Sequence, residues 1–558
     1  MTRNQKVIFA IILVVAAFLI FFRLGRQDML GDDAHYSLRA YGYLDYMASQ
    51  KQTTPLQWFG ERPGWSYLSF HDHPPVYFFI QHIFFKLFGD SVVVSRLTSA
   101  LAALGSVLVI FFIGKHLGSV RLGLAAMVAL VLNNFFILNG RIAHIESLLI
   151  FWFLLGLLFL LRALQDSPRD FKWAGLFFGL ALLTKVSLLF MLPALLLYFV
   201  WQRRDVLQKK EFWLGLAIFV LASSPLLFYN LKMYQARGHF DVQFADLFGQ
   251  SNRDWFNLDG RVGGFHLAVR DTLAYFYRGM SWPYFVAALG ALLFAVWQGK
   301  KNPLWWLVVL GAVLTAMFLM YVGGASRWLA IVTPFTALAL GGLIDFLWDT
   351  KRLPIAFASG ALAVYSLVFI FNSNHALAAS RNEFLTSALR LENYGYNQLD
   401  KWVDRLLAGK TVPLQTRDAV SYMWFLGIEQ DALPFLRDKT ESGNYNSLII
   451  YDDAMNWFPA IWALGRHRIY DGVPSMTTTE FEDWISNAEA LKFLNSLDFD
   501  RFYFIRASEA LRQNEPEGRK PAEPLELMYK DQSVKPEVIH NLQGDEAFYI
   551  YETEEIRL

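Results

Sequence analysis

Long apolar runs alternate with short polar connections over the first two thirds of the chain. A membrane-spanning helix needs about twenty mostly apolar residues, and about eleven stretches qualify on that scale: 7–22, 91–113, 120–138, 147–163, 171–184, 185–201, 212–230, 281–297, 303–321, 326–347 and 353–371. The run Val76 to Phe88 is shorter and carries Gln81, His82 and Lys86, which suits an interfacial or re-entrant helix. The stretch 171–201 reads as a pair of helices broken at Thr184-Lys185. After Asn372 the pattern changes. Short β-rich runs, Leu448 to Tyr451, Arg468 to Tyr470, Phe502 to Ile505 and Phe548 to Tyr551, alternate with helical patterns such as Phe481 to Leu497. Glu515 to Pro524 reads as an exposed loop. The pattern predicts a polytopic α-helical membrane protein of about 11–13 transmembrane helices followed by a soluble α/β domain. The expected division is a membrane domain over 1–377, with external loops 23–90 and 231–280, and a C-terminal domain over 378–558.

Charge in the short loops sets the orientation. Arg3 and Lys6, Lys115 and Arg121, Arg162, Arg169 and Lys172, Arg203, Arg204, Lys209 and Lys210, Lys300 and Lys301, and Lys351 and Arg352 fall on alternate loops. The positive-inside rule makes those loops cytoplasmic. The N-terminus is then cytoplasmic, as an uncleaved signal anchor because Phe21-Phe22-Arg23 offers no small-residue cleavage site. The C-terminal domain is extracytoplasmic, and the expected location is the cell membrane.

Composition agrees with this picture and narrows it. A chain of 558 residues that is 55% hydrophobic and 16% aromatic is too apolar for a soluble enzyme. A net charge near +1, with the cations spread among loops, argues against a nucleic-acid partner. Zero cysteines exclude disulfides, thiolate metal sites and cysteine nucleophiles.

Candidate chemistry gathers on the external side. Asp32 and Asp33, with Tyr36 close behind, follow the first apolar run; His71, Asp72 and His73 precede Val76; Arg96, Arg141, Glu146, Lys185 and Arg327 lie at membrane-proximal ends of later spans. The second external loop adds His266 and the aromatic run Tyr275-Phe276-Tyr277, which suits a helix at the interface. Each has a structural alternative. An aspartate of the pair Asp32-Asp33 would cap the helical stretch Ala34 to Ala48, His73-Pro74-Pro75 would only start a helix, and Arg141 and Glu146 would form an ion pair. Lys185 would snorkel and Arg327 would anchor at the interface. His71, Asp72 and His73 are of metal-ligand type, but three near-consecutive residues rarely face one ion, so no metal ligand is assigned and a divalent cation stays open as a cofactor.

Cations at a membrane boundary suit a lipid phosphate, with Arg gripping its oxygens and Lys adding a point charge. If that phosphate carries a sugar, the leaving group needs no general acid, and one carboxylate suffices as the base for an acceptor hydroxyl. A multi-pass transporter or lipid flippase is the rival reading. Its ionisable groups would sit near mid-bilayer in repeated halves, whereas no internal repeat is visible here.

The ordered set of motifs resembles the GT-C superfamily of membrane glycosyltransferases, in its protein O-mannosyltransferase and lipid A aminoarabinose transferase group, over residues 1–350. Asp32-Asp33-Ala34-His35-Tyr36 is similar to that group's Asp-Glu-Ala-x-Tyr motif, and His73-Pro74-Pro75-Val76 to its His/Lys-Pro-Pro-Leu motif. Arg96-Leu97, the Arg141 to Glu146 segment, Leu183-Thr184-Lys185 and Arg327-Trp328 follow in the family's order. The resemblance implies a polyprenyl-phosphate sugar donor, a protein, glycan or lipid acceptor, transfer with inversion, and Asp32 as base with Asp33 as second choice. Arg96, Arg141, Lys185 and Arg327 would then hold the donor phosphate, with Tyr36, His71, His73, Glu146 and His266 at the substrates. The Trp-Trp-Asp motif of oligosaccharyltransferases has only Asn456-Trp457-Phe458 as its nearest counterpart.

Overall fold

The apolar runs fold as helices where the pattern places them. The computed structural model describes residues 1–46, 53–59, 62–250, 265–280, 282–322, 327–349, 393–413, 442–512 and 522–554. Arg3–Phe21, Val92–Leu117, Ile145–Gln165, Lys210–Arg237 and Trp328–Asp349 are each long and apolar enough to cross a membrane. Val120–Val131 and Asn134–Arg141 make a further span bent by 67°. Val76–Phe88, Val186–Gln202, Pro283–Gly299 and Trp305–Met320 are shorter apolar helices. The expected span 353–371 lies outside the described residues. The architecture is that of a polytopic helical membrane protein with a smaller α/β unit.

Contacts divide the chain into two units, Met1–Leu24 with Gly64–Leu391, and Gly25–Pro63 with Glu392–Leu558. The expected cut at 377/378 falls outside the described residues, and the first external loop is itself divided, because its residues up to Pro63 pack with the C-terminal chain.

In the membrane unit, close helix packing places the loop ends. Gly175 and Gly179 stand one turn apart on the helix Phe171–Leu182, facing Lys210–Arg237. A β-carbon on Gly175 would lie 2.0 Å from the Gly215 carbonyl oxygen, and one on Gly179 would lie 2.5 Å from the β-carbon of Ala222. Between apolar helices in lipid, association depends on such close approach, since lipid tails are as apolar as the side chains. The same helix ends at Leu182, and the turn that follows presents Thr184 and Lys185. The break between 171–184 and 185–201 is therefore real: a 3-10 turn, Val186–Phe190, separates Phe171–Leu182 from Leu192–Gln202.

Among the described residues, the second unit is built on a five-stranded sheet of order β2-β1-β3-β5-β4. β1 is Ser447–Tyr451, β2 Ser475–Thr477, β3 Arg501–Ala507, β4 Glu537–His540 and β5 Glu546–Thr553. β1 runs parallel to β2 and β3, whereas β5 is antiparallel to β3 and β4 to β5. The stretch Arg468 to Tyr470, expected as a strand, is helical within Arg466–Asp471. Its apolar residues continue a helical turn begun at Ile461, Arg466 is buried by carboxylates, and Gly472 (φ +68°) ends the helix. The expected helix Phe481 to Leu497 is two, Thr478–Ile485 and Ala488–Ser496, because Asn487 caps the second by accepting from the Glu489 and Ala490 amides. The loop expected at Glu515 to Pro524 lies largely outside the described residues, and its last residues open the helix Ala522–Asp531.

The segment Gly25–Pro63 supplies the helix Asp32–Gly42 to this unit. Tyr470 donates its hydroxyl to the Leu38 carbonyl at 2.6 Å, and Leu30 packs against the sheet's core. The helix stops short of the expected Ala48, because Tyr43 adopts the left-handed conformation (φ +51°). Arg39 then donates to the Tyr46 carbonyl.

Gly175→Ala is expected to destabilise the membrane unit by roughly 1–3 kcal/mol through overpacking. Gly290→Ala, where an added β-carbon meets nothing within 4 Å, serves as the control. Thermal unfolding of both variants in detergent checks this; equal stability would show that the close approach is not needed.

Candidate active site

Glu146 is the second residue of the helix Ile145–Gln165, where a carboxylate complements the positive helix end. It is fully buried, a position that requires compensation for its charge. Two cations arrive from distant parts of the sequence. Lys185 Nζ lies 2.5 Å from Glu146 Oε1, and Arg327 Nε lies 3.8 Å from the same oxygen. Lys185 is buried, whereas the Arg327 side chain is 26% exposed and so reaches the edge of the bundle. Trp328 lies beside both, its ring centre 5.8 Å from Lys185 Nζ and 5.7 Å from Arg327 Cζ. Two cations and one carboxylate leave the three side chains with a net positive charge.

Hydrogen bonds tie this cluster to the His73-Pro74-Pro75 segment. The Val76 amide donates to the Leu183 carbonyl at 3.0 Å, next to the turn that carries Lys185. Ser99 donates to the His144 carbonyl at 2.9 Å, which leaves its oxygen to accept from the Tyr77 hydroxyl at 2.9 Å. His144, immediately before the helix of Glu146, meets Asn139 through its Nδ1 at 2.9 Å.

The His71 loop is fixed from the other side by the segment that follows Lys210–Arg237. The Val242 amide donates to the His71 carbonyl at 2.8 Å, and Gln243 Nε2 donates to the Asp72 carbonyl at 2.6 Å. His73 Nδ1 is 3.1 Å from Asp72 Oδ1. Asp241, buried beside them, accepts from Asn230 Nδ2 and from the Phe244 amide, both at 2.9 Å. Burial, with the charge of Asp72 as a smaller contribution, pushes the Asp241 carboxyl up to about 6. Asp241 and Asn230 were not singled out from the sequence, where neither stands in a recognisable motif.

Arg96 and Arg141 have other partners. Arg141 Nη1 donates to the carbonyls of Leu19 at 2.7 Å and Ile20 at 3.0 Å, and its Nη2 to that of Phe22 at 2.9 Å. Arg96 Nη1 donates to the Leu24 carbonyl at 2.7 Å. The last carbonyls of a helix have no partner within it, so Arg141 caps the end of Arg3–Phe21 and Arg96 holds the chain just beyond. The Arg141–Glu146 pair suggested by their spacing does not form among the described residues; Lys185 takes that place.

Asp32 and Asp33 open the helix Asp32–Gly42 in the second unit. Asp33 is buried and accepts the Gly31 amide at 3.1 Å, while Asp32 is partly exposed. Tyr36 is buried on the same helix, and the His35 ring lies 6.2 Å from that of Trp457. His266 falls on the helix Phe265–Met280, with its side chain outside the described atoms.

One group in this unit has metal-ligand types: Asp400, Asp404 and His467 place their ligand atoms within 4.8 Å of one another. Arg466 already supplies the cation there. Its Nη2 lies 2.8 Å from Asp400, 3.2 Å from Asp404 and 3.1 Å from His467 Nε2. Burial, and then the like charge of Asp404, hold the Asp400 carboxyl well above the usual carboxylate range. The cluster therefore reads as a structural one.

Lys185→Met leaves Glu146 buried without its closest cation and is expected to cost roughly 3–5 kcal/mol. Glu146→Gln combined with Lys185→Met removes the stranded charge and should recover much of that loss. A double-mutant cycle on detergent unfolding measures it, and additive losses would show that the pair is not coupled.

Residues 72–229, which include His73, Arg96, Arg141, Glu146 and Lys185, match the family model of dolichyl-phosphate-mannose-protein mannosyltransferases. A curated relative, the putative mannosyltransferase YycA of Bacillus subtilis, is 32% identical over 157 residues, or 28% of this chain. That match spans only 23% of the relative's own length. ArnT from Cupriavidus metallidurans, solved bound to undecaprenyl phosphate, resembles the fold with a TM-score of 0.55 at 14% identity, over 99% of this chain and 98% of that one. The archaeal oligosaccharyltransferase AglB from Archaeoglobus fulgidus, solved with an inhibitory peptide and a dolichol-phosphate, gives a TM-score of 0.51 at 13% identity, over 100% of this chain and 75% of that one. At such identities the likeness is one of fold, and the matched segment adds a likeness of sequence. The chain is thus similar in fold to these membrane proteins, and residues 72–229 add a likeness of sequence to the dolichyl-phosphate-mannose-protein mannosyltransferase family.

Proposed function

We propose that the protein transfers one sugar, mannose or another hexose or pentose, from a polyprenyl-phosphate donor to a hydroxyl on a protein, glycan or lipid. The observation that carries this reading is the meeting of buried Glu146 and Lys185 with the half-buried Arg327. Two cations at one place in an apolar bundle suit an anion whose lipid tail lies among helices, and a guanidinium is suited to grip phosphate oxygens. The lipid phosphates named with the ArnT and AglB structures are of this class.

In the step envisaged, a carboxylate of the Asp32-Asp33 pair takes the proton of the acceptor hydroxyl as its oxygen bonds to the anomeric carbon from the face opposite the phosphate. The bond from that carbon to the phosphate oxygen breaks, and polyprenyl phosphate leaves with the electron pair. Attack from the opposite face inverts the sugar. Asp32 is the better base in this reading, because it is the less buried of the two. Lys185 and Arg327 would stabilise charge on the departing phosphate. Arg96 and Arg141, engaged with backbone carbonyls, would act by fixing the first span beside the donor rather than by holding phosphate. The charge bias of the loops favours an extracytoplasmic reaction.

A panel of radiolabelled polyprenyl-phosphate sugars, incubated with purified protein and an acceptor extract, is expected to yield one donor that loses its label. Asp32→Asn should lower that turnover by about 10²–10⁴-fold, and Arg327→Ala should mainly raise the donor KM. Full turnover in Asp32→Asn would remove Asp32 as the base. Label that crosses sealed vesicles on an unchanged lipid would favour a flippase instead.

A further inference from the structure

The segment just before Asp32 makes an unusual connection. Asp28 is almost fully buried, and its carboxylate is ringed by donors from Asn393 to Asn397. Oδ2 accepts the backbone amides of Tyr394 at 2.6 Å, Gly395 at 3.1 Å and Tyr396 at 3.3 Å. Oδ1 accepts the Asn397 amide at 2.9 Å and the Asn393 side-chain amide at 3.2 Å. These amides open the helix Tyr396–Leu407, so the carboxylate fills the positive end of a helix in the manner of a bound anion. Gly395 makes the ring of donors possible. Its φ of +99° curls the chain, and a β-carbon there would meet that of Ala547 at 2.5 Å.

The two asparagines clamp the same loop in return. Asn397 Nδ2 donates to the carbonyls of Gly25 at 3.2 Å and Gln27 at 3.0 Å, and Asn393 Nδ2 to that of Arg26 at 3.0 Å. Four residues beyond Asp28 the helix of Asp32 begins, and its middle is held by Tyr470 through the Leu38 carbonyl. Within this unit the helix is thus fixed at its entry and along its length.

Building on the transferase reading, we infer that Asp28 is a positioning residue: by plugging the N-terminus of Tyr396–Leu407 it fixes the helix that presents Asp32. The C-terminal chain then holds the proposed base in place. Removing residues 392–558 would leave Gly25–Pro63 without the unit it packs in, so point variants of the full chain are the cleaner test.

Full-length Asp28→Ala and Asp28→Asn are compared with wild type by donor kinetics and by hydrogen–deuterium exchange. Asp28→Ala is expected to lower kcat by about tenfold or more, with donor KM changed less than about threefold. Exchange should rise in peptides over 26–42 while β1 and β3 stay protected. Asp28→Asn, which keeps one acceptor oxygen, should fall between, and added formate, an anion small enough for the vacated ring of amides, should restore part of the Asp28→Ala rate. Unchanged kcat in Asp28→Ala, or exchange rising equally in β1 and β3, would overturn the inference, the second outcome marking Asp28 as general support of the fold. If wild type consumes no donor the transferase reading fails, and the exchange profile then decides the anchoring role by itself.

Discussion

A carboxylate buried among apolar helices cannot stay charged alone, and Glu146 is where the membrane unit meets that constraint. It draws Lys185 from the break after Phe171–Leu182 and Arg327 from the start of the last described span. Three segments far apart in sequence are thereby fixed at one place. Two unit charges 4 Å apart attract by about 1 kcal/mol in water but about 4 kcal/mol at the effective dielectric near a protein surface. An anion that enters beside Lys185 and Arg327 therefore meets a stronger field than any exposed basic loop provides. In the transferase proposed here, that difference would let a chain with a net charge of only +1 hold a phosphate at one spot.

The rest of the membrane unit serves the placement of those three groups. Gly175, Gly179 and Gly215 let two helices approach closely enough to set the turn that carries Lys185. Arg141 and Arg96 close the exposed end of the first span, and the Tyr77–Ser99–His144 chain joins the His73-Pro74-Pro75 segment to the start of the Glu146 helix. In the second unit Asp28 plays a comparable part for the helix Asp32–Gly42, with a helix N-terminus as its cation. Both units use the same economy: a buried charge is satisfied by a partner from a remote stretch, and that partner is thereby held where it is needed.

Much of the membrane unit was legible in the sequence because span length and loop charge are strong signals. The break at Thr184-Lys185 could be read because the basic loops fall on alternate connections only if 171–201 is counted as two helices. The convergence of Glu146, Lys185 and Arg327 was legible as a list of charges near one membrane boundary. Which of them pair was not: Arg141 sits nearer to Glu146 in sequence than Lys185 does, yet it turns to the carbonyls of Leu19, Ile20 and Phe22. A cation near a helix end looks the same in sequence whether it caps a helix or grips a phosphate. Arg468 to Tyr470 misled for a related reason, since three residues of high β-propensity do not reveal the helical turn before them or the carboxylates that bury Arg466. The partition of the first loop was hidden as well, because Asp28 and Asn393 to Asn397 lie some hundreds of residues apart and only their contact shows the bond.

The central claim is that the Glu146–Lys185–Arg327 cluster holds a lipid phosphate. Binding of undecaprenyl phosphate and of the uncharged alcohol undecaprenol to the purified protein, measured side by side, tests it most directly. Wild type should bind the phosphate at least about tenfold more tightly, a difference of about 1.4 kcal/mol, and Arg327→Ala should narrow that gap. Equal binding of the two lipids by wild type would contradict a phosphate site in this bundle.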